Sequence, residues 1–330
     1  MVKKSINSEK DIVTDFIKYS AVTAFLCGLV FLSEFLGSMT ALFSLTPPIL
    51  FYLNHKRLMP AALMVIAVAV FMTVVALSFP ELESADSGLF YVYEFGALNV
   101  FLLIFLSRES DFIGVIFKSS LFAFLAILFV AGSLSLFYSV NLHDYIALMI
   151  DVNVDKMLSM ADAAKLTVEQ RELLVQGYAE LRALYKTIYP ALFFVGFEFV
   201  VVLNLFAVKI YFAKDSNRID LGRLTSWSPD ERWIIGLISF GFLYFVKNDI
   251  VHFIALNGSI VFLTLYLFSG FCIMSYFFKE KKVSALMQGI IYFSVVFVNE
   301  FKFIVIAIGA FNVWFDFRKK IKNKIKNENT

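Results

Sequence analysis

The chain has 330 residues, 60% of them hydrophobic and 17% charged, with a formal charge of +2. Soluble domains run nearer half apolar and about a quarter charged. Forty phenylalanines are too many for a water-soluble core of this size, so the composition excludes an ordinary soluble fold and calls for lipid as the second solvent.

Lys3, Lys4 and Lys10 precede the first apolar run, as in the basic region of a signal peptide. That run, Ile17–Leu36, is longer than a signal sequence needs and has no small-residue cleavage pattern after it. It reads as a retained first span. The second segment, Thr40–Leu53, is short and carries Pro47-Pro48. Met59–Phe79, Leu89–Leu106 and Phe112–Val140 complete five spans within residues 17–140. A polar stretch, 141–187, follows. Five more segments are expected in 188–317: Ile188–Phe212, Trp233–Val246, Val251–Phe278, and Val283–Phe315 divided in two at Asn299-Glu300-Phe301-Lys302. The expected fold is all-α and polytopic, with about ten membrane segments.

Lysine and arginine set the expected orientation. With residues 1–16 inside, His55-Lys56-Arg57, Arg108, the 214–223 loop, Lys279–Lys282 and the basic tail 318–330 all fall inside. Pro80–Glu83 and the 141–187 segment fall outside. Every loop agrees when the number of spans is even. The expected place is a bacterial cytoplasmic membrane, with both termini cytoplasmic.

The outer segment has its own pattern. Thr167-Val168-Glu169-Gln170 fits a capping box, with Gln170 able to bond back to the cap. Leu174, Tyr178, Leu181, Tyr185 and Ile188 then follow at helical spacing. A small amphipathic helical cap is expected here, leading into the sixth span near Pro190.

Ionisable and amide side chains at membrane depth are costly, and they mark candidate sites. Glu198 lies near the middle of the sixth span. Glu94 and Asn99 are in the fourth, Glu34 ends the first, and Asn257 is near the outer end of the eighth. Most fall in the outer half, so the sharper expectation is a polar pocket open to the outside for a small-molecule substrate. The plainer alternative has these groups joining helices in pairs. Ser20, Ala24 and Gly28 form a small-residue series on the first span, suited to an internal helix contact or to a transmembrane protein partner. Cys27 and Cys272 sit in apolar runs and suggest neither a disulfide framework nor a zinc site. No P-loop, H-E-x-x-H, G-x-S-x-G or paired C-x-x-C is present. The expectation is therefore no enzyme, no cofactor, no metal and no nucleic acid, with the lipid bilayer as the main partner.

The C-terminal third carries a resemblance. Ser228-Pro229-Asp230-Glu231-Arg232-Trp233 opens a span, Leu265–Gly270 lies inside the next, and Gly309-Ala310-Phe311-Asn312-Val313-Trp314-Phe315-Asp316-Phe317-Arg318-Lys319 closes the apolar region. These segments resemble the YybS-like family of predicted bacterial membrane proteins. That family is distantly similar to substrate-binding components of energy-coupling-factor vitamin transporters and to the rod-shape protein MreD. The first likeness implies capture of a small solute and docking on a transmembrane partner. The second implies a membrane scaffold in an envelope or division assembly.

Overall fold

The structure, a computed structural model, describes residues 9–79, 85–108, 111–162, 167–212, 225 and 227–328. All regular elements among the described residues are helices: α1 (Glu9–Leu32), α2 (Glu34–Ala41), α3 (Thr46–His55), α4 (Leu58–Ser78), α5 (Ala85–Arg108), α6 (Phe112–Tyr138), α7 (Leu142–Asp162), α8 (Val168–Tyr211), α9 (Trp233–Leu243), α10 (Asp249–Glu280), α11 (Ala285–Phe297), α12 (Asn299–Phe315) and α13 (Phe317–Glu328). The Pro80–Glu83 loop and the 214–223 loop lie outside the described residues.

Among the described residues, seven helical stretches are long and apolar enough to cross a membrane, or eight if α11 and α12 together make one span. The expected count of about ten is corrected on two points. α9 has 11 residues, roughly 16 Å of helix against a hydrocarbon layer of about 30 Å. α11 and α12 are bent by 102° at Val298, so they form one broken or re-entrant element. The amphipathic α7 and the first turns of α8 occupy the 141–187 segment where a cap was expected.

Two compact units divide the chain. The first is Met1–Leu134 with Gly196–Gly222, and the second is Ser135–Val195 with Arg223–Thr330. α8 therefore gives its early turns to the second unit and its last turns to the first.

In the first unit, α1 ends at Leu32 and the chain reverses. Ser33 caps α2 by accepting the Leu36 N–H. α2 returns along α1, with Thr40 donating to the Leu26 carbonyl at 3.1 Å. A Cβ on Gly37 would collide with the Val30 backbone, so this hairpin needs glycine there. α3 starts with Pro47 and Pro48 in its first turn, where their missing N–H groups are not needed. α4 shows the membrane pattern most simply. Ala61, Met64, Val68, Met72 and Ala76 are buried at three- and four-residue spacing, while Leu63, Ile66, Val70 and Leu77 are exposed. A helix that is apolar all round but buried on one side has its other side in lipid.

The second unit is built on α10. Asn248 caps it through the Val251 N–H. α9 lies against it through two reciprocal contacts: the Phe262 ring covers Gly236, and the Phe240 ring covers Gly258. The two rings are 5.6 Å apart. α12 crosses α10 backbone to backbone. A Cβ on Gly270 would overlap the Val305 carbonyl, and one on Gly309 would overlap the Tyr266 carbonyl. Only small residues permit such an approach. On the α7–α8 hairpin, Asp151 takes the Lys186 ammonium at 2.7 Å, and Asp155 pairs with Arg182.

Candidate functional site

The non-helical turn Leu42–Leu45 between α2 and α3 leaves backbone groups inside the first unit without helical partners. Two buried amides meet them. Asn204 on α8, 0% exposed, donates to the carbonyls of Leu42 at 2.6 Å and Val200 at 2.8 Å. Its oxygen accepts from the Thr46 hydroxyl at 2.7 Å. Asn99 on α5, 2% exposed, donates to the Ser44 carbonyl at 3.5 Å. Both amides splint a helix break within the membrane, where an unpaired peptide group would be costly.

The satisfaction is incomplete. The Asn99 carbonyl oxygen, the Ser120 hydroxyl and one Glu198 carboxylate oxygen are buried with no hydrogen-bond partner among the described residues. Glu198 is 1% exposed. A buried polar group left unpaired costs about 1–3 kcal/mol, and more when charged, so such groups call for an unseen partner. Chemically, each of these groups is an oxygen acceptor or a rotatable hydroxyl, of the kind a polar solute, a cation or water satisfies.

Glu94, Asn99 and Glu198 all belong to the first unit. Glu94 is partly buried on α5. Glu34 opens α2, and its side chain lies outside the described part of the structure. Asn257 belongs to the second unit, and its amide is occupied by backbone. Its oxygen accepts from the Ala191 N–H at 2.9 Å, and its nitrogen donates to the carbonyls of Thr187 and Phe253, each at 2.8 Å.

The small-residue series meets α4 inside the first unit. Gly28 faces the Met72 methyl at 3.4 Å from a built Cβ, and Ala24 packs on the cluster of Cys27, Phe31, Val68, Met72, Ala76 and Val92. The Ser20 hydroxyl is buried with no hydrogen-bond partner among the described residues. Gly28 and Ala24 therefore take part in an internal helix contact. Neither cysteine is in a disulfide. Among the described residues, no three His, Cys, Asp or Glu side chains cluster as a metal site.

Sequence reasoning missed Asn204, although an amide six residues after Glu198 in the same span was a readable signal. It also missed His55, whose imidazole pairs with Asp15 at 2.9 Å with its side chain 1% exposed. The closing motif has a local explanation. The Asn312 oxygen accepts the Phe317 N–H at 3.0 Å, and Arg318 donates to the carbonyls of Thr225 and Trp227. Burial lowers the Arg318 pKa from its ordinary value, since its charge is partly taken out of water.

Apolar helices of spanning length, exposed on one side and splinted by amides where they break, define a polytopic integral membrane protein. The chain belongs to the family described as predicted membrane protein (DUF2232), whose profile matches residues 21–312. No curated protein and no solved structure matches it.

Proposed function

We propose that the protein is a solute-binding or transport-type component, holding a small polar or cationic solute at Glu198 in its first unit. The observation that supports this is the Glu198 carboxylate, 1% exposed and with one oxygen unpartnered. A carboxylate at membrane depth is costly and belongs to substrate or ion paths more than to packing. The depths of the two acids along their helices support the same reading. Asn204 and Asn99 both meet the Leu42–Thr46 turn. Glu198 precedes Asn204 by six positions and Glu94 precedes Asn99 by five, about 9 and 7.5 Å of helix rise. With α5 and α8 crossing in the same sense, both acids sit at one depth, outward of the turn. Under this reading both termini are cytoplasmic, and the site takes solute from outside. The chain is no enzyme and needs a transmembrane partner for energy. The resemblance to YybS-like proteins and energy-coupling-factor binding components agrees with it.

One observation favours a second reading, a membrane scaffold of an envelope or division assembly. Leu148, Val152, Leu173 and Leu184 are exposed on the α7–α8 hairpin, a surface suited to protein contact.

The test is thermal unfolding of the detergent-purified protein against a panel of alkali cations and small polar metabolites, with E198Q and E198L alongside. A ligand-dependent stabilisation of the wild type that both folded variants lose is expected. A more stable E198L, with no panel member stabilising the wild type, would overturn the reading. Recovery of envelope or division proteins in that case would establish the scaffold.

A further inference from the structure

α13 follows α12 after one residue, Asp316, which adopts a left-handed backbone with φ 40°. Its start is fixed by the bonds from Asn312 and Arg318 described above. The helix then packs along α10. Phe317 and Ile321 fall on one side and are half-buried. Lys319, Lys320 and Lys322 are exposed, and the sequence continues with Lys324 and Lys326. The Lys320 ammonium lies 4.5 Å above the Phe315 ring. The end of α10 adds the exposed Lys279 and Lys282 to the same unit.

We propose that α13 is a lipid-binding element that takes the phosphate headgroups of anionic phospholipids. Three observations carry this. The helix is amphipathic, with a narrow apolar row and a dense basic remainder, the composition of a helix lying in the membrane interface. Its position is set by the ends of two apolar helices, since it begins beside the last residue of α12 and packs on α10, whose own last turn holds Lys279. That turn is where α10 leaves the apolar layer, so α13 is held at headgroup level. Its charge is also poorly offset. Asp316 caps the Lys319 N–H at 3.2 Å, and Glu328 is the only acid in α13. A juxtamembrane set of lysines is attracted to an anionic leaflet, and each lysine removed weakens that attraction about fivefold at low salt. A soluble polyanion would use the charge but not the half-buried row of Phe317 and Ile321, so lipid is the better fit.

The test uses the full chain in nanodiscs of phosphatidylcholine alone or mixed with phosphatidylglycerol. Amide exchange of residues 317–328 and the lipid retained by the protein in native mass spectrometry are read together. Slower exchange and preferential retention of phosphatidylglycerol are expected. Both should vanish at high salt and in K319Q/K320Q/K322Q/K324Q, and persist in the matching lysine-to-arginine variant. Equal exchange in both lipids, or a glutamine variant that keeps the preference, would overturn the proposal. Equal protection by heparin added to neutral discs would also overturn it, and would point to a soluble acidic partner.

Discussion

Asn257 on α10 clasps Ala191 on α8, its side-chain oxygen accepting the Ala191 N–H at 2.9 Å while its nitrogen donates to the Thr187 carbonyl at 2.8 Å. Thr187 and Ala191 are the two ends of one helix hydrogen-bond position, and Pro190 lies between them inside α8. Proline has no N–H, and its ring crowds the carbonyl four residues earlier, so this turn has backbone groups in need of outside partners. Asn257 supplies both a donor and an acceptor. N257A is expected to cost about 1–3 kcal/mol, the range for leaving buried polar groups unpaired. N257D keeps one acceptor but turns its other oxygen on the Thr187 and Phe253 carbonyls and buries a carboxyl group, so it should cost more than N257A. Denaturant unfolding in micelles measures both. The P190A background provides the control. With the proline gone the helix can close its own bonds, and the effect of N257A should shrink.

The capping box at the start of α8 is complete. The Thr167 hydroxyl accepts the Gln170 N–H at 3.3 Å, and the Gln170 oxygen accepts the Thr167 N–H at 3.1 Å. T167A is expected to cost about 1 kcal/mol of local stability, the usual value of an N-cap. Faster amide exchange confined to residues 168–171, with thermal unfolding of the whole chain little changed, is the expected result. A shift in global unfolding with no local change would contradict it.

The capping box was legible because it is a four-residue rule, and the spans because apolar length is read directly from sequence. Glu198 was legible for a different reason: a carboxylate amid apolar residues stands out whatever the fold. The role of Asn257 was not, because it depends on which backbone atoms lie opposite, and Ala191 is 66 positions away. The contact between Gly270 and Gly309 was not legible for a similar reason. Ser20, Ala24 and Gly28 make an evident row, whereas Gly270 and Gly309 lie on different helices and become a pair only when α10 and α12 cross. The short α9 and the 102° bend at Val298 were counted as spans because composition reports apolarity and not direction.

Asp230 and Arg232 form an exposed pair ahead of α9. Asp230 accepts from the Arg232 side chain at 2.7 and 3.0 Å and from its N–H at 2.9 Å. These bonds hold the Asp230 carboxyl down at about 2, below its ordinary value of 3.8. A depressed folded-state pKa favours the folded form above the ordinary value, and the benefit disappears as pH falls through the lowered one. Asp230 should therefore stay ionised at pH 3, and R232Q should return its titration toward 3.8. Carboxyl carbon shifts followed from pH 5 to pH 2 would show it. Both side chains are solvated and two positions apart in sequence, so this benefit is small and D230N should barely change thermal unfolding.

Gly270 and Gly309 make a close helix contact in the second unit, and each faces backbone. A built Cβ on Gly309 stands 2.8 Å from the Gly270 nitrogen and closer still to the Tyr266 carbonyl oxygen. A carbonyl in a helix cannot swing aside as a side-chain tip can, so an added methyl must separate α10 from α12. G309A and G270A are each expected to destabilise the protein by about 1–3 kcal/mol or more, as overpacking does. Gly28 sets the comparison. Its added methyl would meet the flexible end of Met72 at 3.4 Å, an ordinary contact. Alanine also favours the helix over glycine by about 1 kcal/mol, so G28A should be neutral or stabilising. Thermal unfolding of the three variants in one detergent decides the matter. Equal losses at all three would mean that glycine matters only for its small size on any span, while losses confined to Gly270 and Gly309 would locate the requirement at the α10–α12 crossing.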